Sequence, residues 1–146
     1  MLAMKYMGKD NGGNGGIVIN MSSVLGMKPY AGCPVYCATK YALLGLTRSF
    51  GEPYYFEKTG IRMVALCPGT TATDMIHCYA AQEMFEKLGQ LVENLPKQMS
   101  LCVATAVVEL IAKASTGTVW VVENGDEVYE IKQPDYSSCR KSPHAI

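Results

Sequence analysis

The chain has 146 residues, which is the size of one ordinary domain. Its 13 basic and 13 acidic residues balance, with no basic stripe, so we do not expect nucleic acid as a partner. No apolar run approaches the roughly 20 residues of a membrane-spanning helix, and the first residues lack the apolar core of a secretory signal.

A glycine-rich stretch, "NGGNGG", follows a short predicted helix at residues 2–9. A phosphate-binding loop places its glycines after a strand and at the start of a helix. Here the glycines precede the apolar run Gly16–Met21, "GIVINM". This order predicts a turn that leads into a strand buried on both faces, with Ser22 and Ser23 at its carboxyl end.

The next elements alternate between helix and strand. Residues 35–50 are rich in Ala and Leu and predict a helix, and residues 61–67 predict a second strand. Residues 75–91 predict an amphipathic helix and residues 97–114 another helix. Residues 118–122 predict a third strand.

An Asn-Gly turn follows the third predicted strand, so residues 128–131 are expected to pair back as a hairpin. The alternation as a whole is typical of an α/β fold with a parallel sheet. We assign residues 1–132 to this domain and residues 133–146 to a polar tail.

Functional groups of α/β proteins gather at the carboxyl ends of parallel strands, so residues 22–34 and 68–74 are the candidate site segments. Tyr36 and Lys40 are four residues apart in a predicted helix and therefore share a face. An ammonium group near a phenol favours phenolate, so the pair predicts a Tyr36 pKa below the ordinary value of about 10. Such a tyrosine could take a proton from an alcohol.

Two further features give this pair a context, because a chain with 9 tyrosines can hold a Tyr-Lys pair by chance. Ser23 precedes Tyr36 by 13 residues, and its hydroxyl could bind the same substrate oxygen. The segment "CPGTTAT" after the second strand offers backbone amides and three hydroxyls to a polar ligand.

The segments "IVINMSS", "YCATK" and "LCPGTTAT" resemble the short-chain dehydrogenase/reductase family. The resemblance covers residues 2–122. Within the family, the sequence is most similar to the prostaglandin dehydrogenase and insect alcohol dehydrogenase branches. It implies a Rossmann-type doubly wound sheet and NAD as cofactor, with NADP as the alternative. It also implies a small-molecule alcohol or ketone as substrate.

The resemblance also implies roles for individual residues. Tyr36 would be the general base in alcohol oxidation, or the acid in carbonyl reduction. Lys40 would lower the Tyr36 pKa and hydrogen-bond the nicotinamide ribose. Ser23 would position the substrate oxygen, with Ser22 as the less favoured candidate. The cofactor-binding set would be completed by Pro68, Gly69, Thr71 and Thr73.

The substrate side departs from one branch of the family. Cys33 stands where a prostaglandin-oxidising member would carry a substrate-contacting Gln, which argues against strict prostaglandin specificity but leaves a hydroxylated fatty acid or a prostaglandin-like compound as the expected kind of substrate. The apolar helix expected after Thr73 still favours a lipophilic alcohol.

The family's first strand and its glycine-rich loop for the adenosine half of the cofactor are not found in this sequence. We therefore expect a chain that corresponds to the C-terminal half of an enzyme whose full-length parent is a homodimer. The alternative is a non-catalytic form without the cofactor-binding half. In this truncated sheet the first strand would present an unpaired edge where the missing strands belong.

Two other classes of site are disfavoured. A serine hydrolase based on Ser22 or Ser23 would need a G-x-S-x-G turn and a suitable histidine, and neither pattern is found. The 6 cysteines form no C-x-x-C pair, so we expect no metal site. Reduced, buried thiols are typical of a cytoplasmic protein.

Overall fold

In the computed structural model, residues 1–75, 94–134 and 136–139 are described. Their sheet has four strands in chain order: β1 (Gly16–Met21), β2 (Ile61–Pro68), β3 (Val119–Val122) and β4 (Tyr129–Ile131). The first three are parallel, and β4 pairs with β3 antiparallel, as a hairpin should. The α/β fold and the predicted hairpin are therefore confirmed.

Among the described residues, four α-helices accompany the sheet: α1 (Leu2–Met7), α2 (Pro34–Phe50), α3 (Pro53–Thr59) and α4 (Ser100–Lys113). The predicted helix at residues 75–91 lies almost wholly outside the described residues. None of the helices in the described ranges combines the length and apolar character that a bilayer span requires.

The two faces of the sheet are covered by different helices. On one face, Ala106 and Leu110 of α4 pack against Val64, Leu66 and neighbouring apolar side chains. On the other face, Leu44 of α2 packs with residues of β2 and β3. Because successive strand residues point to opposite faces, a nearly continuous apolar run such as β2 serves both layers.

Two sequence expectations need correction. The composition of β1 suits burial on both faces, but its residues are half-buried or exposed, because within the described sheet β1 lies at the edge and pairs only with β2. The unpaired edge itself agrees with the expectation for a chain without the family's first strands. We also expected a helix from residue 97, but α4 begins at Ser100 because Gln98 pairs with Thr71 in an isolated parallel bridge.

The glycine-rich stretch is a turn, as expected. A short 3₁₀ helix, Lys9–Asn11, ends at Gly12, whose φ of 85° lies in the left-handed region. Gly15 also has a positive φ, and its amide donates to Met7 O at 2.8 Å. These contacts lead the chain from α1 into β1.

Candidate active site at the carboxyl edge of the sheet

The predicted catalytic residues converge where β1 ends and α2 begins. The Ser23 hydroxyl caps the 3₁₀ turn Val24–Gly26, accepting a hydrogen bond from the Leu25 amide at 3.1 Å. The same hydroxyl lies near enough to the Tyr36 phenol to lower its pKa. The structure therefore brings Ser23 and Tyr36 together across 13 residues of sequence.

Lys40 lies one turn after Tyr36 on α2, and its ammonium is 5.3 Å from the centre of the Tyr36 ring. The same ammonium donates a hydrogen bond to Met21 O at 2.9 Å. This contact holds the charge at the carboxyl end of β1, directly before Ser22 and Ser23.

Ser22 has a supporting position rather than a place beside the phenol. Its side chain is buried and donates to the backbone carbonyl of Lys40 at 3.0 Å. Its amide donates to Leu66 O at 2.8 Å, which continues the pairing of β1 with β2. Lys40 is thus joined to the end of β1 twice, through its carbonyl to Ser22 and through its ammonium to Met21 O. We call Ser22, Ser23, Tyr36 and Lys40 the hydroxyl cluster.

The pKa expectation for Tyr36 is wrong for this structure. Burial raises the pKa of Tyr36 above its ordinary value, and the nearby Ser23 hydroxyl offsets only part of this rise. The neighbouring thiols of Cys33 and Cys37 raise it further.

Cys33, the predicted substrate contact, lies at the N-cap of α2 and is only 8% exposed. Burial, followed by the neighbouring Cys37 thiol, raises the pKa of Cys33 to about 11. Its thiol is therefore protonated at neutral pH and acts as a small apolar group three residues before Tyr36.

The end of β2 lies next to the hydroxyl cluster. Cys67 is fully buried, and burial raises the pKa of its thiol above the ordinary value. Contacts with Ser22 and Ser23 and the charge of Lys40 offset only part of this rise. Because Pro68 follows directly, the loop at residues 68–73 starts at the same corner of the sheet.

This loop, which we call the Pro-Gly loop, is held by hydrogen bonds within the loop and by one to the end of β3. Gly69 donates its amide to Val122 O at 2.8 Å. The Thr71 hydroxyl donates to Gly69 O at 3.1 Å, and the Thr73 hydroxyl donates to Thr71 O at 3.4 Å. These two hydroxyls were predicted to meet a ligand, and here they also fix the shape of the loop.

Gln98 is a residue of this region that the sequence did not single out. It is 3% exposed, and its side-chain amide donates to Thr71 Oγ1 at 3.2 Å and to Val122 O at 2.9 Å. It stands 27 residues from Thr71, so no short motif could have revealed it.

Comparisons with known proteins relate this chain to dehydrogenases. A family model described as short chain dehydrogenase matches residues 1–84. Alcohol dehydrogenase 2 of Ceratitis cosyra is 31% identical over 126 residues, which cover 84% of this chain and 49% of that protein. The NAD⁺-dependent 15-hydroxyprostaglandin dehydrogenase of Mus musculus is 44% identical over 92 residues, covering 63% of this chain and 33% of that protein.

A solved structure shows the same fold. The acetoin dehydrogenase from Enterobacter cloacae superimposes with a TM-score of 0.58 at 27% identity, covering 80% of this chain and 44% of that chain. The chain spans about half the length of Alcohol dehydrogenase 2. The family match covers more than half of the residues and agrees with the resemblance carried by the three motifs. The chain therefore belongs to the short chain dehydrogenase family.

Proposed function

We propose that this chain carries the catalytic groups of an NAD(P)-dependent oxidoreductase that interconverts a secondary alcohol and its ketone. The observation that carries the proposal is the Lys40 ammonium 5.3 Å from the centre of the Tyr36 ring and hydrogen-bonded to Met21 O at the end of β1, with Ser23 near the phenol. The names of relatives, alcohol dehydrogenase and 15-hydroxyprostaglandin dehydrogenase, support the reaction class.

In this proposal Tyr36 takes the proton of the substrate hydroxyl during oxidation and returns it during reduction. Ser23 donates a hydrogen bond to the substrate oxygen and holds it against the phenol. The nicotinamide, when bound, supplies the hydride acceptor or donor. The raised pKa of Tyr36 keeps the phenol protonated at neutral pH, which suits the acid role in ketone reduction.

The residues present fit the nicotinamide half of the cofactor. An ammonium has three N–H donors, and Lys40 uses one on Met21 O, so it can also serve ribose hydroxyls. The Pro-Gly loop, with Pro68, Gly69, Thr71 and Thr73, presents hydroxyls and backbone amides of the kind that a carboxamide can bind. We propose NAD as the cofactor, following the name of the mouse relative, with NADP as the alternative.

The substrate we propose is a lipophilic secondary alcohol. The protonated, apolar thiol of Cys33 lies three residues before Tyr36 and offers no charge to a polar substrate. We place the protein in the cytoplasm, where the thiols that form no disulfide in the described residues would stay reduced. We also propose a homodimer for the full-length enzyme.

We further propose that the chain corresponds to the C-terminal half of such an enzyme and binds NAD weakly on its own. Its relatives are about twice as long, and no glycine-rich phosphate loop was found in its sequence. Titration calorimetry of residues 1–146 with NAD⁺ tests this point. Micromolar binding by a cooperatively unfolding monomer would contradict it.

The activity itself is tested in a fusion in which the unmatched half of the Ceratitis cosyra alcohol dehydrogenase 2 precedes this chain. Size exclusion and NADH binding first show that the fusion is folded. We then expect steady-state NADH formation from a panel of secondary alcohols, and Tyr36→Phe should reduce kcat by about 10²- to 10⁴-fold, the usual contribution of a general base.

The matched control is Tyr41→Phe, which removes the same hydroxyl from an exposed position on the same helix. It should leave kcat within a factor of about two. A folded fusion in which Tyr36→Phe retains a tenth of the turnover would contradict the role of Tyr36. Equal losses in both variants would mean that the effect is not specific to the site.

A further inference from the structure

Gln98 is a buried polar residue in an otherwise exposed segment. Its side chain is 3% exposed, whereas Leu95 and Met99 are 46% and 66% exposed. A glutamine placed inside while apolar neighbours face outward reverses the usual pattern. The hydrogen bonds made by its amide account for this reversal.

Four hydrogen bonds join Gln98 to its surroundings. Its backbone amide donates to Thr70 O at 3.0 Å, and its carbonyl accepts from the Ala72 amide at 2.9 Å. Its side-chain nitrogen donates to Thr71 Oγ1 and to Val122 O. Three of these bonds hold the Pro-Gly loop, and the fourth joins it to the end of β3.

The orientation of the side-chain amide is fixed by its partners. Val122 O can only accept, so the nitrogen rather than the oxygen of the amide must face it. Gln98 Oε1 is buried and has no partner in the described part of the chain. A buried, unsatisfied acceptor is unfavourable, so the side chain is held in place by the bonds that its nitrogen donates.

The Val122 carbonyl is the common anchor. It accepts from Gln98 Nε2 at 2.9 Å and from the Gly69 amide at 2.8 Å. The start of the Pro-Gly loop and its middle, through Gln98, are therefore attached to the same atom at the carboxyl end of β3.

We infer that Gln98 is a positioning residue, which fastens the Pro-Gly loop to β3 and so sets the geometry of the groups that meet the cofactor. That these groups meet the cofactor rests on the proposed function, whereas the attachment of the loop to β3 by Gln98 does not. Gln98 itself contacts the loop and β3 and takes no part in proton transfer.

The test compares Gln98→Met with Met99→Gln in the ligand-free chain. The two variants exchange the same residue types at adjacent positions, one buried and one exposed. Hydrogen exchange followed by mass spectrometry should show at least ten-fold faster exchange of the Gly69 and Ala72 amides in Gln98→Met. Exchange in α4 and β2 should stay unchanged, and Met99→Gln should match the wild type throughout.

Unchanged loop exchange in Gln98→Met would overturn the inference, as would an equal increase over the whole chain, which would indicate general destabilisation. If Gln98→Met does not fold, Thr71→Val removes the acceptor from the other side and must accelerate the same loop amides. Thr71→Ser, which keeps the hydroxyl, should restore slow exchange.

A second readout separates this inference from the proposed function. In the folded fusion, Gln98→Met should raise the KM for NAD⁺ several-fold more than it lowers kcat. Faster loop exchange together with an absence of any NAD⁺ turnover in the wild-type fusion would support the positioning role and contradict the proposed function.

Discussion

The two corners of the candidate site are held together in different ways. At the first corner, the hydroxyl cluster is joined by contacts that cross 18 or 19 residues, Ser22 to the Lys40 carbonyl and the Lys40 ammonium to Met21 O. At the second corner, the Pro-Gly loop is fastened by Gln98, whose contacts cross 24 and 27 residues.

The difference concerns what each corner contributes. The first corner holds the groups that could move a proton, and Ser22 and Lys40 also join α2 to the end of β1. In the second corner, the described side chains mainly fix the backbone, and Thr71 has its hydroxyl engaged as both donor and acceptor. We therefore expect substitutions in the first corner to alter the chemical step, and substitutions in the second to alter cofactor affinity.

The largest effect expected within this comparison follows Ser23→Ala. The substitution removes the hydroxyl that lowers the Tyr36 pKa and that would hold the substrate oxygen. The pKa of Tyr36 should rise further, so the rate of alcohol oxidation should reach its plateau at a higher pH. The turnover of the fusion should fall by about 10²-fold, as when one preorganised donor is lost.

Titration of tyrosine labelled at the ring carbon that bears the hydroxyl, followed by NMR, measures this pKa directly in the 146-residue chain. An unchanged or lower pKa of Tyr36 in Ser23→Ala would show that the two hydroxyls do not interact as described.

A smaller effect should follow Ser22→Ala, which removes one attachment of α2 to the end of β1. The lost hydrogen bond is buried, so the free energy of unfolding should fall by about 1 kcal/mol. Ser49→Ala, at an exposed position of the same helix, should change it by less than about 0.5 kcal/mol. Urea denaturation measures the change in unfolding free energy for both variants. Equal changes would contradict a supporting role for Ser22.

The smallest effect concerns Cys33 and alkaline pH. Its pKa is about 11 in the folded chain and 9.0 ordinarily, so the unfolded chain loses this proton at a lower pH than the folded chain. The stabilisation is therefore complete below pH 9 and declines as the pH rises towards 11. Cys33→Ala should flatten the decline in unfolding free energy between pH 8 and 10.5, whereas an unaltered slope would contradict the burial of this thiol.

The sequence predicted the first corner better than the second. The strand ending in Ser22 and Ser23, and the spacing of Tyr36 and Lys40, are local patterns that were enough to expect a shared site. The sign of the Tyr36 pKa shift was wrong, because burial of the phenol depends on tertiary packing while the sequence shows only that Lys40 is near.

The role of Gln98 could not be read from its neighbours. Helical periodicity extended the last predicted helix back to residue 97, but propensity is weaker than the four hydrogen bonds that Gln98 makes in an extended conformation. The half-burial of β1 follows from its place at the edge of the sheet, which the composition of the strand did not indicate but the missing family strands did.

The central claim is that Tyr36 moves the proton in a hydride-transfer reaction between a secondary alcohol and NAD. In the most direct measurement, the folded fusion is incubated with NAD⁺ and a secondary alcohol deuterated at its carbinol carbon. Mass spectrometry then measures how much deuterium the reduced cofactor contains. The account predicts deuterium in the NADH formed by the wild-type and Tyr41→Phe proteins, with almost none from Tyr36→Phe. Equal deuterium transfer by Tyr36→Phe, or none by a folded wild-type fusion that binds NADH, would contradict it.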